Sequence, residues 1–216
     1  MSSYIGLFLK VNSAVSLTVP NMVTLFRIGL VPVLMVLLLF TGPTAAWLAG
    51  VAFLVATLSD YVDGYIARSY GSGSVLGTFL DPLADKLLVS AALIMLAGIA
   101  RWPRVPAWMV VVIVGREIMV TALRAMAASE GLVVGAEELG KYKMTLQAMA
   151  VQALLIHYTH WHVDFFAAGM FLLWIAMAVS IWSGAEYYLN LMWMLREDAH
   201  TPAADDQQSG NRAAHG

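Results

Sequence analysis

Residues 59–86 read SDYVDGYIARSYGSGSVLGTFLDPLADK, two charged helix ends joined by a run of glycine and serine. Asp60 and Asp63 stand three apart and share one helix face, and Asp81 and Asp85, four apart, share another. Gly71 and Gly73, with Ser69, Ser72 and Ser74, make the connection polar and flexible, and Pro82 suits the first turn of the second helix, where its missing N–H does no harm. So short a connection brings the helix ends together and four carboxylates to one place.

Outward from this segment the sequence is apolar. Of 216 residues 60% are hydrophobic and 12% charged, with a mean hydropathy of +0.75, whereas a soluble domain carries roughly a quarter charged residues. Six apolar stretches fall near 24–40, 45–68, 83–100, 105–129, 144–158 and 163–194, the length class that crosses about 30 Å of hydrocarbon as helix. A soluble domain of this length would have to bury all six on every side, against its need for polar surface. Breaks at 41–43, 101–104, 131–140 and 160–162 fit short turns. The expectation is an all-α integral membrane protein with six transmembrane helices. Residues 1–20 form an N-terminal interfacial or cytoplasmic segment, 21–195 the six-helix catalytic domain and 196–216 a disordered cytoplasmic tail.

The N-terminal 20 residues do not have the order of a cleaved signal, so the first span is expected to be retained. Cysteine is absent, which excludes a disulfide framework and a thiol nucleophile. With six spans, Lys10, Arg27, Lys86, Lys141, Lys143 and Arg196 fall on one side and Arg101 and Arg104 on the other. The positive-inside rule then places the four aspartates at the cytoplasmic face of the inner membrane.

Four converging carboxylates repel one another unless cations or protons relieve them. Oxygen donors without Cys or His suit Mg²⁺ or Mn²⁺ better than zinc. Read blandly, they are interfacial charges or partners of Arg68 and Lys86. Gly64 allows close approach to helix backbone, Ala67 continues that small-residue face, and the Arg68 fork suits phosphate. Gly77 reads equally well as a loop breaker.

The run Asp60-x2-Asp63-Gly64-x2-Ala67-Arg68-x8-Gly77-x3-Asp81-x3-Asp85 resembles the signature of the CDP-alcohol phosphatidyltransferase family at every fixed position. The resemblance implies that family's six-helix membrane fold, a homodimer, and displacement of CMP from a CDP-linked lipid, CDP-diacylglycerol, by an alcohol with two divalent cations. It makes Asp60, Asp63 and Asp81 metal ligands, and Asp85 both close to the metals and the general base. Gly64, Ala67, Arg68 and Gly77 fall to the CDP portion. Metals would neutralise the pyrophosphate while a carboxylate takes the alcohol proton.

The remaining basic residues address the acceptor. Arg116 and Arg124 stand eight apart on one helix, beside Glu117, and Lys141 and Lys143 follow Gly140. Such groups suit an alcohol that carries its own phosphate, although Lys141 and Lys143 also fit positive-inside anchoring. Within the family, the segments around Asn21, Thr24 and Arg27, Gly115 to Ile118, Arg124, and Gly140 to Lys143, with Gln147, are similar to the branch that uses sn-glycerol 3-phosphate. Met144 departs from that branch, which has threonine there, and Thr145 is the nearest hydroxyl. The resemblance gives Asn21, Thr24 and Arg27 to the nucleotide or phosphate side. From the residues alone, Asn21 caps the first helix, Thr24 lies in its opening turn and Arg27 snorkels to the interface. Other acceptors in the family, inositol phosphate or phosphatidylglycerol, remain alternatives, as does a membrane cation transporter; no nucleic acid is implied. His157, His160 and His162 read as a solvated turn, and Glu186 has no assigned role.

Overall fold

The computed structural model describes the backbone of residues 19–70, 75–130, 138–160 and 162–200, and side chains within 22–59, 83–130, 142–160 and 162–196. Among the described residues six helices follow one another: α1 Val19–Leu39, α2 Pro43–Tyr70, α3 Val75–Gly98, α4 Ala107–Ser129, α5 Glu138–Ile156 and α6 Phe165–His200. Between the last two lies a short antiparallel ribbon, β1 Thr159–His160 and β2 Val163–Asp164, with Thr159 opposite Asp164. α1 packs on α2 and α3, α5 on α6, α2 and α3, and α4 on α6 and α3.

Local chemistry explains the boundaries at the ribbon end. His157 takes a left-handed φ of 66°, and its N–H still reaches the Ala153 carbonyl at 3.0 Å, which stops α5. Asp164 opens α6 by accepting the Ala167 N–H at 3.0 Å, an N-cap bond that satisfies one free helix donor. At the same end the Arg101 guanidinium, buried to 4% exposure, donates to the carbonyl of Phe40 at 3.2 Å and to that of Leu155 at 3.5 Å. One side chain thus satisfies carbonyls at the ends of α1 and α5. Trp47 Nε1 donates to His160 Nε2 at 2.7 Å, tying α2 to the ribbon.

The expectation of six transmembrane helices is corrected. Among the described residues, two helices are long and apolar enough to cross a membrane, over Met22–Leu39 and Phe165–Arg196. Charged residues interrupt the apolar sequence of the others. The apolar run of α2, Pro43–Ser59, ends where Asp60 begins a charged turn; α3 carries Asp85 and Lys86; α4 carries Arg116, Glu117 and Arg124; α5 carries Lys143 near its start. The described residues form a six-helix bundle in which α3, α4 and α5 bring Asp85, Lys86, Glu117 and Lys143 to one cavity. α3 also begins at Val75, ahead of the expected 83, so Asp81 and Pro82 lie inside the helix and not in its first turn. α6 continues past 195 to His200, and the remainder of the expected tail and residues 1–18 lie outside the described residues.

Large apolar side chains also face outward, among them Leu39, Val111, Phe171 and Trp182, each about two-thirds exposed or more. Exposed apolar side chains in this number fit a lipid environment, and the protein is membrane-associated. The interior holds two apolar clusters. The larger one joins Leu34, Phe53, Leu88, Leu93, Met109, Ile113, Leu154 and Leu173; the smaller one, between α4 and α6, joins Val120, Ala127, Tyr187 and Leu191. Between Ile113 and Val120 on α4, and between Met177 and Tyr187 on α6, the apolar filling gives way to Arg116, Glu117, Ser180 and Ser183. That polar layer sits at the inner wall of the site.

Candidate active site

Four residues, 71–74, separate the end of α2 from the start of α3. The backbone therefore carries Asp60 and Asp63 on the last turns of one helix and Asp81 and Asp85 on the early turns of the next, as the sequence spacing requires. The side chains of Asn21, Asp60, Asp63, Gly64, Ala67, Arg68, Gly77, Asp81 and Lys141 lie outside the described residues. Among the described residues no group of three or more His, Cys, Asp or Glu could hold a metal.

Asp85 is described, and it opens into a cavity of about 680 Å³. The same cavity is lined by Lys86 and Ser90 of α3, Glu117 of α4, and Lys143, Thr145 and Gln147 of α5. Below this polar rim the walls become apolar, with Phe53, Leu54, Leu58, Val89, Met149 and Ile156. From Lys143 to Ile156 the α5 wall rises about 20 Å at 1.5 Å per residue. The space has the dimensions of a small-molecule site and the shape of a charged mouth above an apolar trench.

The basic wall is cross-linked. Glu117 Oε1 accepts a hydrogen bond from Arg116 Nη1 at 3.2 Å and another from the Lys143 ammonium. Lys143 is buried, with its side chain 4% exposed, so its charge is countered where water is scarce. On α3, Lys86 donates to the Thr121 hydroxyl, which itself donates to the Glu117 carbonyl at 2.7 Å. α3, α4 and α5 are thereby joined at the mouth through α4.

Arg116 and Arg124 lie on the side of α4 toward α6, outside the cavity lining. Arg116 Nη2 donates to Ser183 at 3.0 Å, and the Arg124 guanidinium carbon stands 5.4 Å from the centre of the Tyr187 ring, a cation–π contact. Thr24 and Arg27 are buried on α1. Arg27 does not snorkel outward as its position near the helix end led one to expect; its Nε donates to the Ala56 carbonyl at 3.3 Å, one turn before Asp60. A guanidinium buried this completely fixes α1 against α2 beside the aspartate segment. Thr121 and Ser183 did not stand out in the sequence. Lys86 had a signal, its adjacency to Asp85, whereas Thr121 and Ser183 gain meaning from the neighbours that folding gives them.

A mouth of mixed charge over an apolar trench, in a bundle with membrane-length helices, suits substrates that combine phosphate with lipid and defines a class of membrane-associated enzyme. The comparisons resolve the class further. Residues 17–182 match the model of the CDP-alcohol phosphatidyltransferases, and the chain belongs to that family. It is 42% identical over 181 residues to the CDP-diacylglycerol--glycerol-3-phosphate 3-phosphatidyltransferase of Bacillus subtilis, covering 78% of this chain and 92% of the relative. The Arabidopsis thaliana CDP-diacylglycerol--glycerol-3-phosphate 3-phosphatidyltransferase 2 is 36% identical over 82% of this chain and 80% of its own. A cardiolipin synthase (CMP-forming) of Oryza sativa is 33% identical over 83% of this chain and 58% of its own.

Proposed function

We propose that the protein transfers the phosphatidyl group of CDP-diacylglycerol to sn-glycerol 3-phosphate, giving phosphatidylglycerophosphate and CMP, a transferase step of phospholipid biosynthesis. Relatives that carry this activity in their names match most of the chain at up to 42% identity. The observation that carries the reading is the shared cavity: a carboxylate, Asp85, opens on the same space as two lysines, Lys86 and Lys143, above an apolar wall.

In this reading the acceptor hydroxyl gives its proton to the Asp85 carboxylate as its oxygen bonds to the phosphatidyl phosphorus. The bond from that phosphorus to the CMP oxygen breaks, and CMP leaves with the electron pair. Lys143 and Lys86 meet the acceptor phosphate, with Lys141 adding charge at the start of α5 and Arg116 and Arg124 supporting the acceptor side from behind on α4. Asn21, Thr24, Arg27, Gly64, Ala67, Arg68 and Gly77 serve the CDP side, and the apolar trench receives the acyl portion of the donor.

The donor set fits a divalent ion. Asp85 lines the cavity, and Asp60 and Asp63 are carried by the last turns of α2 and Asp81 by the early turns of α3, all hard oxygen donors. Asp60, Asp63, Asp81 and Asp85 would hold two cations, Mg²⁺ or Mn²⁺. Bound there, the ions supply charge neutralisation at the pyrophosphate. The charged mouth faces the cytoplasm in this reading, and the protein acts as a homodimer.

Cardiolipin synthesis is the second reading, favoured by the similar plant protein of that name. Purified full-length protein with CDP-diacylglycerol, Mg²⁺ or Mn²⁺ and either acceptor separates the two by lipid product and CMP release. Phosphatidylglycerophosphate from sn-glycerol 3-phosphate is expected. CMP release with phosphatidylglycerol alone would replace the first reading by the second, and none with any alcohol from folded protein would reject both.

A further inference from the structure

The polar layer between the two apolar clusters contains a contact that the acceptor site alone does not explain. On α6, a helix otherwise apolar enough to cross a membrane, Ser183 is buried to 5% exposure and accepts the Arg116 Nη2 hydrogen bond at 3.0 Å. The next residue, Gly184, has no side chain where the arginine lies. A Cβ there would stand 2.9 Å from Arg116 Nε and 3.3 Å from its Cγ, closer than ordinary packing allows. Ser183 and Gly184 form a notch: the glycine admits the arginine stem to the helix surface and the serine fixes the guanidinium.

Beyond the notch the contacts continue to the cavity. Arg116 Nη1 donates to Glu117 Oε1, the same oxygen receives Lys143, and Glu117 and Lys143 line the cavity while Arg116 does not. The Arg116 side chain is 10% exposed and those of Glu117 and Lys143 are 14% and 4% exposed, so each charge depends on its neighbour for compensation. A single carboxylate held from one side by a fixed guanidinium offers a fixed anchor to the lysine on its other side. Without Ser183, Arg116 has rotamers open to it, and the Glu117–Lys143 pair moves with it.

We infer that Ser183 and Gly184 of α6 are positioning residues for the phosphate-bearing acceptor, acting through Arg116 and Glu117 on the Lys143 ammonium. The inference rests on the proposed acceptor. It assigns a specificity role to a part of α6 that lies outside the cavity lining.

The test measures KM for sn-glycerol 3-phosphate, KM for CDP-diacylglycerol and kcat separately, in full-length protein whose thermal midpoint is checked for each variant. Ser183→Ala is expected to raise KM for the acceptor about 5- to 10-fold, the scale of one typical intramolecular hydrogen bond, with kcat and donor KM within about twofold. Ser183→Thr retains the hydroxyl and is expected to restore most of the acceptor affinity. Gly184→Ala gives an independent reading, because it displaces Arg116 without touching the hydroxyl; the same selective rise in acceptor KM is expected. An acceptor KM unchanged in both Ser183→Ala and Gly184→Ala would overturn the positioning role while leaving the reaction intact. Equal behaviour of Ser183→Ala and Ser183→Thr would overturn the role of the hydroxyl. Wild-type protein inactive toward sn-glycerol 3-phosphate would overturn the acceptor assignment and this inference with it.

Discussion

Lys143 on α5 and Arg116 on α4 donate to the same oxygen of Glu117, so one carboxylate holds two cations at the inner edge of the cavity. Of the two, Lys143 lines the cavity and Arg116 stands behind. This division sets what each contributes: the lysine is the group an incoming phosphate meets, and the arginine fixes the anion that holds it.

Lys143→Ala therefore removes the facing charge and leaves Glu117 with half its compensation. Loss of a charge-assisted contact is expected to lower kcat/KM for sn-glycerol 3-phosphate about 10- to 100-fold, chiefly through KM. Steady-state kinetics with varied acceptor checks this, and an unchanged acceptor KM would remove Lys143 from the site.

Asp85→Asn keeps the shape and deletes the base. The proposed proton acceptance predicts a fall in kcat of about 10²- to 10⁴-fold, with the protein still folded because the substitution is isosteric. Chelation of divalent ions is expected to abolish CMP release from the wild type, with recovery on adding Mg²⁺ or Mn²⁺. Near-wild-type turnover of Asp85→Asn would end its assignment as base, and full activity in excess chelator would end the metal assignment.

The sequence made the helical class legible, and with it the helices that carry the aspartates, because both depend on local spacing. Separations of three and four residues place carboxylates on one helix face whatever the rest of the chain does. The number of membrane-length helices was less legible, since apolar length was weighed ahead of the charges that α3, α4 and α5 carry. The α3 start was displaced because Pro82 resembles a first-turn proline yet lies inside the helix. Arg27 misled for a related reason: proximity to a helix end suggests snorkelling, but a carbonyl on α2 claims it. The link between Arg116 and Ser183 spans 67 residues, and no periodic pattern encodes a pairing over that distance.

At the opposite end of the bundle, burial holds the His157 imidazole below its ordinary pKa, with nearby Arg101 adding to the effect; the Trp102 carbonyl and Asp164 oppose it. A histidine kept neutral by the fold contributes stability that is fully present above the unfolded value of about 6.5. That contribution is lost as pH falls from there through the lowered folded pKa. The thermal midpoint in detergent is expected to drop between pH 7 and 5, and His157→Asn should flatten that drop. An equal pH dependence in the variant would assign the effect to other groups.

Two glycines on membrane-length helices should respond oppositely to alanine. At Gly169 on α6 a Cβ would stand 2.8 Å from Leu154 Cγ, 2.9 Å from the Leu154 backbone nitrogen and 3.1 Å from the Ala150 carbonyl oxygen. Backbone of α5 cannot yield as a flexible side chain would, so the α5–α6 contact must open. Small residues permit such close approach between helices in lipid. Alanine gains about 1 kcal/mol in helix propensity over glycine, but overpacking a fixed contact costs about 1–3 kcal/mol, so Gly169→Ala is expected to lower the thermal midpoint. Gly29 on α1 has nothing within 4 Å of the same position, so Gly29→Ala keeps the propensity gain and should leave the midpoint equal or higher. Melting both variants beside the wild type in one detergent decides it. A Gly169→Ala protein as stable as the Gly29→Ala protein would mean that α5 and α6 do not meet at this distance.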